Sequence, residues 1–95
     1  MDFRHDGDAH GGHFHLAGPE RGLARLDYRR HPHGIDIVHT EVSPQLAGQG
    51  VGKRLIEAAV VFARGEGLQV DASCPFARKV LERDAAFADV FKPLS

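Results

Sequence analysis

Residues Gly48-Gln49-Gly50-Val51-Gly52-Lys53 set three glycines at alternate positions between a β-branched run and an amphipathic helical pattern. A turn of this kind opens a helix, where free backbone N–H groups converge at the positive end of the dipole. The chemistry on offer is anion binding, and glycine lets a phosphate approach the backbone closely. Two nucleotide motifs with the same needs fail on spacing. A P-loop anchored on Gly52-Lys53 puts Ala47 at its first glycine and Arg54 where a magnesium-binding hydroxyl belongs. The dinucleotide fingerprint G-x-G-x-x-G meets Lys53 at its third glycine.

The stretch from Val42 to Leu55 resembles the acetyl-CoA loop of the GNAT superfamily of N-acetyltransferases, V-x-P-x-x-[RQ]-G-x-G-[IV]-[GA]-x-x-L. Val42, Pro44, Gly48, Gly50, Val51, Gly52 and Leu55 match in one register, while Ala47 stands where the pattern has Arg or Gln. His39-Thr40-Glu41-Val42 and Cys74-Pro75-Phe76 are similar to motifs of a very small GNAT-like subgroup, and the resemblance spans roughly residues 13–92. It implies coenzyme A binding through Val42, Gly48, Gln49, Gly50, Val51, Gly52 and Lys53, with acetyl-CoA as cosubstrate. Such proteins lack the flanking helices that grip acceptors in larger members, so an amine acceptor is implied without its identity. The competing reading is a non-catalytic acyl-CoA-binding or protein-interaction module.

Acetyl transfer to an amine needs a base, a donor for the carbonyl oxygen and an acid for the departing thiolate. His39 and Cys74 are the catalytic candidates, each near the carboxyl end of one of two neighbouring parallel strands. His39, an imidazole, suits a base; Cys74 suits an acid or a nucleophile. The bland readings are a hydrogen-bonded strand histidine and a buried core cysteine. Glu41 is a further base candidate. Lys53 and Arg54 read as a solvated helix face that could also meet phosphates. The sole tyrosine, Tyr28, lies upstream of where the family places a tyrosine acid. His10, His13 and His15 are close in sequence, but no second Cys/His cluster completes a four-ligand zinc site, and no metal is expected.

The elements that must position these residues follow from periodicity. The fold class expected is α/β (α+β): a mixed sheet, antiparallel at its N-terminal strands, with a parallel βαβ unit around the glycine loop. Residues 1–12 are polar and glycine-rich and read as a mobile lead-in. Strands are expected at 13–17 and 22–30, the second with a bulge. The strongest strand is 35–42, where strict alternation puts Ile35, Ile37, His39 and Glu41 on one face. A helix over 49–65 presents Val51, Leu55, Ala58, Ala59 and Phe62, and Gly65 and Gly67 end it. A strand over 68–73 is parallel to the previous one. Pro75 opens a short helix with an apolar side of Phe76, Val80 and Leu81, and a last helical segment spans 85–91.

Ninety-five residues suffice for one domain, expected to span 1–95. A net charge of −1 provides no field for nucleic acid or a membrane surface. No apolar run is long enough to span a bilayer, the start carries no secretory pattern, and one cysteine allows no internal disulfide. A cytoplasmic setting is the expectation; the oligomeric state is not legible.

Overall fold

A computed structural model describes residues 2–92. Five strands form one sheet in sequential order: β1 (Phe3–Gly7), β2 (Gly11–Leu16), β3 (Ala24–His31), β4 (Gly34–Val42) and β5 (Gln69–Ala72). The first three pairings are antiparallel and β4–β5 is parallel. The parallel pair needs a crossover, supplied by helix α1 (Val51–Gly65). Helix α2 (Pro75–Arg83) follows β5, with Pro75 in its first turn, where a missing N–H costs nothing. The mixed α+β class is as the sequence implied. Among the described residues no helix is long and apolar enough to cross a membrane.

Two elements differ from expectation. In place of a mobile lead-in, residues 3–7 form β1, paired in register with β2. Its inward positions carry Phe3 and His5, and the His5 ring stacks on Phe14 at 4.2 Å between centroids and meets Phe62 of α1 edge-on. His5 thus packs as an aromatic ring with its Nε2 2.6 Å from the Tyr28 hydroxyl, and although the residue as a whole is exposed, partial desolvation lowers its pKa. At the other end, the expected helix over 85–91 is a single 3₁₀ turn, Ala85–Phe87. A hydrogen-bonded turn over 88–90 follows, with the Val90 and Phe91 N–H groups donating to the Phe87 carbonyl, and Phe91 then bridges in parallel to Val70.

The core lies between α1 and the inner face of the sheet. Leu26, Ile35, Ile37, Leu55, Ile56 and Val60 are fully buried there. Truncating one such side chain to alanine costs about 2–5 kcal/mol, a large part of a small domain's stability. Ala59 and Ala63 of α1 are also fully buried and keep the helix close to the strands.

A bulge in β4 sets the faces of that strand. Tyr28 pairs with Ile37 and Asp27 with His39, so Val38 has no partner on β3. The extra residue lies in β4, whereas the sequence suggested one in β3. Beyond it the alternation reverses: Thr40 pairs with Leu26 and Val42 with Ala24, on the inner face, while His39 and Glu41 turn outward beside Asp27 and Arg25. The strict alternation that grouped His39 and Glu41 with Ile35 and Ile37 is therefore broken.

Candidate acyl-CoA cleft

The β4–β5 ladder ends at Ile37 opposite Ala72, although β4 runs on to Val42. Past Ile37, β4 has lost its neighbour on that side. The backbone N–H groups of Ser73 and Cys74 both donate to the Ile37 carbonyl, at 3.0 and 3.1 Å, and the chain then leaves for α2. Asp36 fixes this departure: one carboxylate oxygen accepts from the Ser73 N–H at 2.7 Å and the other from its hydroxyl at 2.6 Å.

The space so opened is a cavity of about 450 Å³. Thr40 and Val42 of β4 form one wall, Ala47, Gly48 and Gly50 the rim, Val51, Gly52 and Lys53 of α1 the floor, and Phe76 and Val80 of α2 the opposite wall. The rim is pinned by buried Leu46, in the 3₁₀ turn Pro44–Leu46, which Ser43 caps by accepting from the Gln45 N–H. Gly48 and Gly50 have φ of 81° and 70°, a conformation that costs other residues about 1–2 kcal/mol.

Gly50 is the N-cap of α1, and no side chain caps the helix. The first intrahelical bond there is Arg54 N–H to the Gly50 carbonyl, which leaves the Val51, Gly52 and Lys53 amides at the positive end of the dipole without an intrahelical acceptor. Gly52 has another reason for lacking a side chain: a Cβ there would come 2.8 Å from the Phe76 ring. The phosphate-approach argument thus applies at Gly48 and Gly50, and a packing argument at Gly52.

The other expected residues are distributed as follows. Val42 lines the cavity; Gln49 is exposed on the loop. Lys53 reaches Asp84, with Nζ 3.4 Å from Oδ2. Asp84 lies below the usual carboxylate range, first because it accepts from the Ala86 N–H and then through Lys53. Cys74 is buried at 8% exposure, and its Sγ donates to Thr40 Oγ1 over 3.7 Å, which ties it to the cavity wall. His39 is exposed on the outer face and does not line the cavity, so the structure does not bring it beside Cys74. Phe76, expected on the apolar side of α2, is 48% exposed at the cavity wall, while Ala77 and Leu81 supply the buried side.

Sequence reasoning missed Asp36, Ser73 and Thr40. The Thr40 signal was present in the His39-Thr40-Glu41-Val42 motif, but only the bulge turns its hydroxyl inward. Asp36 and Ser73 lie 37 positions apart and carry no local signature.

A sheet that parts between two parallel strands, over a helix start with bare amides, leaves in this small α+β protein a cleft whose rim can hold an anion. The chain matches the sequence model of the GCN5-related N-acetyl-transferase family over residues 13–90, and it belongs to that family. The solution NMR structure of a GCN5-like protein from Staphylococcus aureus is 36% identical, with a TM-score of 0.74, covering 99% of this chain and 90% of that one. The crystal structure of a ribosomal-protein-alanine N-acetyltransferase from Brucella melitensis biovar Abortus 2308 shares the fold at 18% identity, with a TM-score of 0.65 over 82% of this chain and 63% of that one. No curated protein matches the chain.

Proposed function

We propose that the protein binds acetyl-CoA in this cleft and transfers the acetyl group to an amine. The observation that carries the reading is the uncapped start of α1, opening onto the gap where β4 has lost β5. In this reading the amides from Gly48 to Lys53 hold the pyrophosphate, and the open edge of β4 from Val38 to Val42 offers backbone groups to the pantetheine amides. Val42, Val80 and the exposed Phe76 ring provide its apolar walls. The domain boundaries 1–95 and a cytoplasmic setting belong to the same proposal.

The chemistry divides between the two faces of β4. On the inner face Thr40 holds the Cys74 thiol, and in our reading the acetyl carbonyl lies beside it. The amine approaches from the outer face, where His39 and Glu41 project, and one of them takes a proton from the incoming ammonium. The amine nitrogen bonds to the carbonyl carbon and releases its second proton to solvent, the carbon–sulfur bond breaks, and the Cys74 thiol gives its proton to the departing thiolate. Cys74 regains a proton from solvent.

A non-catalytic acyl-CoA-binding role is the second reading, favoured by the placement of His39 on the face opposite Thr40. Calorimetry with acetyl-CoA and turnover with polyamines, amino acids and lysine peptides separate the two. Transfer that falls in His39→Ala or Glu41→Gln with unchanged acetyl-CoA affinity supports catalysis. Saturable binding with no transfer to any amine supports the module, and no binding at all overturns both.

A further inference from the structure

On the outer face of the sheet, two rows of polar residues cross four strands. Asp6, His13, Asp27 and His39 are successive cross-strand partners, and Arg4, His15, Arg25 and Glu41 form the next row. Within them the Asp6 carboxylate faces both histidines of His13-Phe14-His15. One oxygen, Oδ2, lies 3.0 Å from His15 Nε2 and 3.5 Å from His13 Nε2. All three potential ligand atoms fall within 4.8 Å of one another. A tetrahedral zinc with bonds of about 2.0–2.1 Å separates its ligands by roughly 3.3 Å, so the cluster has the right size.

We propose that Asp6, His13 and His15 form a binding site for a divalent transition-metal cation, zinc foremost, on the face opposite the glycine loop. The orientation of His15 is the second observation. Its ring is buried, and Nδ1 lies 3.1 Å from the Leu16 carbonyl, the backbone contact that commonly fixes a metal-ligating histidine. With Nδ1–H donating there, the Nε2 lone pair of a neutral His15 points at a carboxylate oxygen. Two acceptors meet, and a cation between them removes the conflict.

Two imidazoles and one carboxylate favour zinc, cobalt, nickel or copper over magnesium or calcium. The side chains of His13 and Asp6 are 41% and 63% exposed, so a fourth position faces solvent. It opens toward a cleft of about 420 Å³ edged by Arg25, Asp27 and Glu41. The ligands come from both strands of the β1–β2 hairpin, so binding is coupled to the order of that hairpin. Protonation of His15 satisfies the same geometry without a metal, as an imidazolium donating to both Leu16 and Asp6.

The test is competition of the full-length chain with a chromophoric chelator for Zn²⁺, for wild type, Asp6→Asn, His13→Gln and, as control, His33→Gln. The expected result is one zinc per chain, affinity lower by about tenfold or more in the first two variants, and no change in the control. Zinc should raise the melting temperature of the wild type and shift the Nε2 resonances of His13 and His15. Equal binding in all four proteins overturns the site. So does a doubly protonated His15 whose resonances ignore zinc, and this wild-type measurement decides the matter even where a variant does not fold.

Discussion

Cys74 Sγ donates to Thr40 Oγ1 across the place where β5 leaves β4, and the residues so joined lie 34 positions apart. The contact exists because the Val38 bulge turns Thr40 inward and because Asp36 holds Ser73 at the end of β5.

If Cys74 acts as the acid, Cys74→Ser should keep part of the transfer rate and the wild type should accumulate no adduct with acetyl-CoA alone. A nucleophilic Cys74 would instead appear as an acetylated chain in the intact mass, with transfer abolished in Cys74→Ser. Full activity in Cys74→Ala returns the residue to the core.

Gly50→Val should weaken CoA binding in a protein that still folds. Its φ of 70° suits glycine, and a β-branched residue there carries a penalty of at least about 1–2 kcal/mol while crowding the loop amides. Calorimetry showing unchanged affinity in the folded variant would remove the phosphate from this loop.

Ala47→Arg restores the side chain that the loop lacks. Ala47 is exposed on the cavity rim, so a guanidinium there can reach a bound phosphate. A charge-assisted hydrogen bond of about 1.5–3 kcal/mol corresponds to at least a tenfold gain in affinity, measurable by titration. No gain, with the fold intact, would mean that the loop directs residue 47 away from the ligand.

Asp84→Asn releases Lys53 and removes a negative charge beside the cavity, while an asparagine still caps the Ala86 N–H. CoA should bind several-fold tighter at low salt, with the difference shrinking as salt screens it. Equal affinities at low salt would show that Lys53 does not meet the phosphates.

Asp89 predicts an acid limb. Arg64 holds it through two hydrogen bonds, of 2.9 and 2.8 Å, and keeps its carboxyl below the usual range. The unfolded chain, with an ordinary value of about 3.9, binds the proton first as pH falls. The contribution is present above that value and is lost as pH drops through the lower folded pKa. Melting curves of Asp89→Asn should be flatter over this range than those of the wild type; identical curves would assign the acid limb to other carboxylates.

The strand, glycine loop, helix and following strand were legible because their signals are local: β-branched residues, glycines at fixed offsets and a helical stripe. The β1 strand was hidden because Phe3-Arg4-His5-Asp6-Gly7 alternates only when the exposed His5 is counted as an inward-facing ring, and nothing near it says that it will stack on Phe14 and meet Phe62 edge-on. The placement of His39 was lost for a different reason. A bulge is defined by the partner strand, and the β-branched run from Ile35 to Val42 reads as unbroken until β3 is laid against it. The Asp6, His13 and His15 cluster was illegible for the same cause, since its carboxylate comes from a strand not recognised as one.

The unpaired Val38 makes β4 a strand whose halves are out of phase, and that has a consequence for how such a chain can vary. Pairing the same residues without the bulge would leave composition and hydrophobicity unchanged, yet it would exchange the sides on which Thr40 and Val42, and His39 and Glu41, project. Deleting Val38 itself would not, because Tyr28–Ile37 and Asp27–His39 would then be consecutive pairs of an unbroken ladder. The phase of the pairing, rather than the composition of the strand, thus decides which side chains meet the cleft, and loss of Val38 should be tolerated better than loss of a paired neighbour.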